Sequence, residues 1–155
     1  MAKGKRKLLK TILISGLVLC AVAAGIYWYV ATEKFSDTKS QREDFTVEAL
    51  EFIREFRGND SVANRKYKDQ VIVVKGPVAE LETPDSLTTN VKFIDTLSGD
   101  YAIFRFQDRH ASEAKSLSKG DLVSLKGVCT GSVYSDLLEV YSIGFIRSAI
   151  SESNN

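Results

Sequence analysis

The sequence has little of the side-chain chemistry on which disulfide scaffolds and metal sites depend. It contains two cysteines, Cys20 and Cys129, and a single histidine, His110, among 155 residues. Cys20 falls in an apolar run and Cys129 in a predicted strand, so we do not expect them to form a disulfide, and no zinc-ligand spacing is present. The composition therefore predicts no disulfide scaffold, no bound metal and no cofactor.

Sequence motifs of the common catalytic classes are also missing. There is no nucleophile elbow, phosphate-binding loop or glycosidase-like carboxylate pair. General acid–base catalysis needs two convergent groups of matched pKa, and the nearest candidates are Asp108 with His110 or Glu113. These residues fall on a turn that leads into a helix, where we expect Asp108 to cap the helix and His110 to lie on the surface. The sequence therefore predicts a protein that is not an enzyme.

Positive charge is scarce beyond the first ten residues. Five of the 21 lysines and arginines lie in residues 1–10, whereas all 20 acidic residues lie at or after Glu33. The part that follows Ala31 therefore has 16 basic and 20 acidic residues, a net charge of −4. A domain of this charge lacks the broad positive field that supplies most non-specific affinity for nucleic acids. Nucleic acid is therefore disfavoured as a partner.

One long apolar run stands near the N-terminus. Residues 11–30 carry no charge, and a helix of that length spans about 30 Å, the thickness of a bilayer core. Residues 1–10 are basic, which predicts a cytosolic N-terminus and a C-terminal domain in the periplasm or outside the cell. We therefore predict a transmembrane signal-anchor helix over residues 11–31 of a single-pass inner-membrane protein. Its aromatic residues at the outer lipid–water interface would be Tyr27, Trp28 and Tyr29.

Three other interpretations of this apolar run stay open. The basic start and the small residues around Ala23 also fit a signal peptide cleaved near Ala23, which would give a secreted protein. Acylation of Cys20 would give a lipoprotein, although Leu19 is bulky where such sites have a small residue. A buried core helix is the third interpretation, and the flanking charges argue against it.

The polar segment that follows leads into a helical pattern. Residues 32–44 predict a linker. Apolar residues then recur every third position, which predicts an amphipathic helix and a short helical turn over residues 45–68, with Thr46 as the N-cap. We expect this helix to pack on the domain that follows it.

From residue 69 to residue 147 the apolar residues alternate with polar ones, which is typical of strands. Pro77 lacks a backbone donor and predicts a bend, edge or bulge in the first strand. A short helix is predicted at 109–118, and residues 148–155 are expected to form a flexible tail. The five predicted strands are 71–82, 90–97, 101–108, 122–131 and 137–147.

Five strands with a helix between the third and the fourth is the layout of an OB-fold barrel. We therefore predict a mainly β protein with short helices. Its domain would be a five-stranded OB-fold Greek-key barrel, preceded by the amphipathic helix and the N-terminal transmembrane helix.

Several segments carry a resemblance to a known family. The more specific ones are Ala63-Asn64 with Tyr67-Lys68 ahead of a valine-rich strand, and Lys119-Gly120-Asp121 followed by KGVCTG at 126–131. With FTVEALEFIREF and DLLEVYSI, in this order and spacing, the sequence resembles the tRNA-anti-like OB-fold proteins from about Phe45 to about Ile146. These are small bacterial proteins that usually have an N-terminal membrane or signal segment. The resemblance implies an OB fold and supplies no catalytic residues.

OB barrels bind oligonucleotides, oligosaccharides or proteins through their second and third strands and the connecting loops. In this sequence that surface would include Lys92, Tyr101, Ile103 and Arg105, with Tyr134 in the loop before the last strand. We expect a non-catalytic module that binds a protein, a saccharide or another envelope ligand. The alternative is a protein that binds single-stranded nucleic acid, for which Lys92, Arg105 and Tyr101 would supply part of a basic, stacking groove.

Overall fold

The computed structural model describes residues 15–16, 18–28, 37–84, 88–106 and 108–151. The chain divides after Phe35 into two compact units. In the first unit, the described residues 15–16 and 18–28 form helix α1. Within the described residues, no helix combines the length and the hydropathy needed to cross a bilayer. The transmembrane helix predicted over residues 11–31 is thus not confirmed, and residues 11–14, 17 and 29–31 of it lie outside the described part.

The second unit is a seven-stranded mixed sheet with short helices. The strands are β1 (Phe45–Glu48), β2 (Val71–Pro77), β3 (Glu80–Glu82), β4 (Asn90–Ile94), β5 (Tyr101–Phe106), β6 (Leu122–Ser135) and β7 (Val140–Ile150). The α-helices are α2 (Ala49–Gly58), α3 (Asp60–Tyr67) and α4 (Ala111–Lys115), and two 3₁₀ helices are η1 (Thr38–Ser40) and η2 (Asp108–His110). The predicted mainly β fold with short helices is therefore confirmed.

The sheet has seven strands and not the predicted five, because the first β run breaks after Pro77 into two strands and because residues Phe45–Glu48 add the strand β1. The sheet order is β1-β2-β6-β7-β5-β4-β3, an open order with β1 and β3 at its ends, in place of a closed five-stranded barrel. β2 pairs with β6, whereas β3, two residues further on, pairs with β4. If β2 and β3 are treated as two halves of one bent strand, and β1 is set aside, the order is that of an OB fold.

The bend between β2 and β3 is held by the turn at Lys119–Asp121. The buried Val78 donates its N–H to the carbonyl of Asp121 at 2.9 Å and accepts the N–H of Gly120 at 2.8 Å. Gly120 has a φ of +94°, a conformation that side chains with a Cβ rarely adopt. Both backbone groups of the bend residue are therefore satisfied by one turn of the Lys119-Gly120-Asp121 motif.

The first helix begins later than its apolar spacing predicted. Residues Phe45–Glu48 form β1, parallel to β2, with Phe45 opposite Ile72 and Val47 opposite Val74. Helix α2 begins at Ala49, and its N-cap is Glu48, which makes no side-chain capping bond. The prediction of Thr46 as the cap was therefore wrong, because pairing with a valine-rich neighbour outweighs the local helical pattern.

Helix α2 packs its apolar face on the sheet through aromatic contacts. Phe52, Ile53 and Phe56 are buried, and the ring of Phe52 lies 5.6 Å from that of Phe145 in β7. Arg57 of α2 donates to both carboxylate oxygens of the buried Asp100, at 2.8 and 3.0 Å. Asp100 also accepts the N–H of Tyr141 at 2.8 Å. This carboxylate therefore connects α2, the β4–β5 turn and β7.

The two specific parts of the family-like sequence pattern meet in the structure. The Asn64 amide of α3 accepts the backbone N–H of Ser132 and donates to its hydroxyl, both at 3.0 Å. A Cβ at Gly131, where φ is +94°, would lie 2.5 Å from the Asn64 side-chain oxygen. Asn64 and Gly131 therefore join α3 to β6 and serve the fold.

Both ends of the predicted domain are more structured than the sequence indicated. Of the predicted tail 148–155, Ser148, Ala149 and Ile150 belong to β7, and Ser151 donates to the carbonyl of Ser124 at 2.8 Å. Residues 152–155 lie outside the described part. Of the predicted linker 32–44, residues from Asp37 onward contain η1, and Asp44 donates its N–H to the carbonyl of Val71.

The bend yields a testable prediction about stability. Gly120→Ala should lower the free energy of unfolding by about 1–2 kcal/mol, because alanine is strained in the left-handed region. Nothing lies within 4 Å of the added methyl group, so the loss would come from backbone strain alone. Urea denaturation of the full chain measures the change.

Gly58→Ala is the matched control for this variant. Gly58 ends α2 with no positive φ, and the position that a Cβ would take there is open space. Alanine there should leave the urea midpoint unchanged or raise it. Equal midpoints for the two variants would contradict the assigned role of Gly120.

Candidate functional site

Four of the predicted binding residues lie on one side of two adjacent strands. In the antiparallel pair, Lys92 is opposite Ile103 and Ile94 is opposite Tyr101. Alternation places these residues and Arg105 on the outer side of β4 and β5, while Val91, Phe93, Ala102 and Phe104 are buried on the inner side. We call this outer side the β4–β5 face. Its residues are Lys92, Ile94, Tyr101, Ile103 and Arg105.

The lysine of this face is already bound within the protein. Its ammonium contacts the carboxylates of Glu82 and Glu80, the latter at 3.4 Å, and lies 5.1 Å from the centroid of the Tyr101 ring. The Lys92 side chain is only 14% exposed. Burial alone would lower the pKa of Lys92, but the hydrogen bond and charge of Glu82, with Glu80, outweigh it and raise the pKa above its usual value. The cation is therefore neutralised on the face.

The guanidinium of Arg105 has a different setting. Arg105 is exposed and makes no ion pair with any residue in the described part of the chain. Opposite it in register is Asn90, which is 7% exposed and whose side-chain oxygen lacks a hydrogen-bond partner in the structure. A buried acceptor without a partner is costly. An unpaired cation and an unpaired acceptor therefore stand in adjacent positions at one end of the face.

Tyr134 does not join this group. It lies in β6, which continues to Ser135, and the predicted loop at residues 131–136 is wrong for this reason. Register places Val133 on the same side as Ser142 and Tyr101, so Tyr134 points to the other side, where its ring is 4.8 Å from that of Tyr141. Tyr134 is 45% exposed and forms part of the β6–β7 hairpin.

The aromatic residues predicted for a lipid interface belong to the first unit. Tyr27 and Trp28 are exposed near the end of α1. Tyr29 lies outside the described residues. Their position at a lipid–water interface stays a prediction.

The histidine has a setting that the sequence did not indicate. His110 is buried, in contrast to the predicted surface position, and it is itself the N-cap of α4 in place of Asp108. Its Nε2 lies 2.9 Å from the Asp37 carboxylate and its Nδ1 lies 3.3 Å from that of Glu113. Asp37 is 73 residues away in the sequence, so no local signal could have revealed it. Among the described residues, no cluster of His, Cys, Asp or Glu has the arrangement of a metal site.

Cys20 and Cys129 are both free thiols in the structure. Cys129 is completely buried in β6. Burial raises the pKa of the Cys129 thiol to about 11, with a smaller contribution from Asp69 and against a hydrogen bond from the backbone of Gly131. The thiolate, which is the reactive form, is therefore disfavoured at neutral pH.

Thiol labelling tests this burial. With maleimide at pH 7.5, Cys129 should stay unmodified in the native full chain and should react only after denaturation in urea. Mass spectrometry of tryptic peptides distinguishes the two sites, and a Cys129→Ser chain provides the control for Cys20. Rapid modification of Cys129 in the native chain would contradict the buried position.

Comparison with known proteins adds a family and a structural neighbour. The family model described as tRNA_anti-like matches residues 1–139. No curated protein gave a significant match. A crystal structure from Klebsiella pneumoniae subsp. pneumoniae MGH 78578, provisionally named a nucleic acid-binding lipoprotein, is 14% identical, with a TM-score of 0.56 over 72% of this chain and 100% of that one. This likeness concerns the fold.

A second solved structure has a lower score. An OBody bound to hen egg-white lysozyme is 21% identical, with a TM-score of 0.42 over 55% of this chain and 84% of its own.

Proposed function

Because the chain belongs to the tRNA_anti-like family, we propose that it is a non-catalytic OB-fold module that binds a protein or a saccharide through the β4–β5 face. We further propose that residues 11–31 anchor it in the inner membrane, with the module outside the cytosol. The family match and the OB order of the sheet support a binding module.

The neutralised Lys92 carries the proposal. Binding a phosphate backbone requires several unpaired cations, but Lys92 is bound to Glu80 and Glu82. Among the described residues of the face, Arg105 is the cation without an ion pair. The net negative charge of the part after Ala31 also argues against a polyanionic ligand. Recognition by hydrogen bonds and apolar contact fits this face better than recognition of a polyanion.

The remaining groups of the face suit such a ligand. Tyr101 and Ile103 are half-buried and offer a small apolar surface on which a sugar ring or an aliphatic side chain can pack. The exposed Arg105 can donate to a carboxylate or a carbonyl of such a ligand. Glu80 and Glu82 at the edge favour ligands without high negative charge.

The proposed anchor depends on the uncharged run at residues 11–30 and on the basic residues before it. If it is correct, alkaline carbonate should leave the full chain in the membrane fraction, and detergent should extract it. The same chain without residues 1–31 should be released by carbonate. Release of the full chain by carbonate would contradict the anchor and leave the proposal for the β4–β5 face untouched.

A binding experiment with paired variants tests the face. The purified full chain, in detergent and immobilised, is exposed to solubilised envelope proteins and to soluble peptidoglycan fragments. Tyr101→Ala and Arg105→Ala should each reduce retention of the bound component about tenfold, the usual effect of truncating a central contact. Lys75→Ala, which removes an exposed cation from β2 outside the face, should not change retention. Equal retention by all four chains would contradict binding at this face.

Single-stranded nucleic acid is the second candidate, favoured by the name of the Klebsiella lipoprotein of the same fold. Filter binding with single-stranded DNA and RNA separates the two proposals. We expect dissociation constants no tighter than about 100 μM at physiological salt, the weak end of non-specific binding. Micromolar binding that steepens at low salt and is lost in Arg105→Ala would favour the nucleic-acid function instead.

A further inference from the structure

The turn between β6 and β7 presents two leucines to solvent. It comprises residues 136–139, which we call the β6–β7 turn, and both Leu137 and Leu138 within it are exposed. Ser135 closes the turn, because its carbonyl accepts the N–H of Glu139 at 2.7 Å and its hydroxyl accepts that of Leu138 at 3.4 Å. Two adjacent leucines in an ordered turn form an apolar patch that binding would remove from water.

At the other end of β6, the structure has an apolar groove of about 480 Å³. It lies between the start of α2, the end of β2 and the start of β6, and we call it the α2–β6 groove. Its apolar lining includes Leu50, Pro77, Leu122 and Val123. Leu50 and Leu122 are exposed, so no other described segment of the chain covers them. A groove of this size has room for the side chains of an inserted turn.

The whole length of β6 separates the turn from the groove. This strand begins at Leu122, which lines the groove, and ends at Ser135, which closes the turn. Its 14 residues of extended chain place the two ends roughly 40 Å apart. The turn of one molecule therefore does not reach the groove of the same molecule. A contact between these two surfaces has to join two molecules.

The charges on the two surfaces favour this contact over burial of the turn in a bilayer. Asp136 and Glu139 flank the leucines and make no ion pair with any described residue. The groove contains Lys75, an exposed cation that also lacks an ion pair within the described part of the chain. Glu48 lines the groove opposite Lys75 in register, so the favourable orientation has the carboxylates of the turn on the side of Lys75. Anionic lipid headgroups would repel Asp136 and Glu139.

We propose that the α2–β6 groove is a docking site for the β6–β7 turn of a second copy of this chain. The two leucines of the turn pack against Leu50 and Leu122 of the next copy, and the carboxylates of the turn face Lys75. Because the contact joins two different surfaces, copies assemble head to tail into a ring or an open row. One turn in one groove buries a small area, so the association is weak and transient.

Site-specific photo-crosslinking of the full chain in mild detergent tests this contact. A donor chain has Leu137 replaced by benzoylphenylalanine, an apolar photo-reactive residue, and is mixed with a ¹⁵N-labelled acceptor chain of native sequence. Illumination should attach the probe to acceptor residues 48–50, 75–77 or 122–124, and mass spectrometry identifies both the site and the copy. The same probe at Leu97, which is exposed outside the turn, should attach to the groove about tenfold less.

Variants of the acceptor chain test the groove itself. In Leu122→Asp, docking would bury an unpaired carboxylate against the leucines of the turn, and cross-linking should fall about tenfold. In Lys75→Glu, the attraction for the carboxylates of the turn becomes repulsion, and the yield should fall about fivefold. Leu97→Asp, a change of the same kind at an exposed leucine outside the groove, is the control and should not alter the yield.

Several results would overturn the proposal. Attachment of the probe mainly to the β6–β7 turn of the other copy would show a contact between two turns, and attachment to detergent or added lipid would show burial in a bilayer. Absence of any cross-link to the acceptor chain, or equal yields with the native and Leu122→Asp acceptors, would also exclude docking in the groove. No envelope ligand is present in these mixtures, so a negative result leaves the proposal for the β4–β5 face unaffected.

Discussion

The sheet of the second unit depends on a change of hydrogen-bond partner between Pro77 and Glu80. Up to Pro77 the chain pairs with β6, and from Glu80 it pairs with β4. Buried backbone groups need partners, and the turn at Lys119–Asp121 supplies both for Val78. The bend also determines the chemistry of the candidate face, because it brings Glu80 and Glu82 beside Lys92. The bend between β2 and β3 thus determines both the curvature of the sheet and the charge on its outer surface.

Features that depend on local order could be predicted from the sequence. Alternation identified the strands and placed Lys92, Tyr101, Ile103 and Arg105 on one side, since side-chain direction in a strand follows from position alone. Proline at 77 marked the bend. Features set by distant partners could not be predicted in this way. Strand β1 forms because residues 71–77 are beside it, and His110 is buried because Asp37 comes from 73 residues away. Lys92 is neutralised because β3 pairs with β4. In the sequence, the Glu-Leu-Glu segment after Pro77 was the feature that could have indicated this pairing.

The residues that carry the family resemblance serve the fold. Asn64 binds Ser132 beside the left-handed Gly131, and Gly120 supports the bend at Val78. Gly131 also explains the error over Tyr134, because this glycine accommodates a register shift that lets β6 continue where a turn was expected. A motif of this kind identifies an architecture, whereas the ligand depends on the surface residues.

The hairpin of β6 and β7 extends past the last row that it shares with β5. That row is Tyr101, Ser142 and Val133, and beyond it lie two further paired rows and a turn. The base of this extension is fixed by Asp100, while Leu137 is 92% and Leu138 65% exposed at the tip. A hydrogen-bonded ribbon is stiff, so it loses less conformational entropy on contact than a loop of the same length would. The molecule therefore has a stiff hairpin with an apolar tip, and the number of paired residues sets how far this tip projects from the sheet.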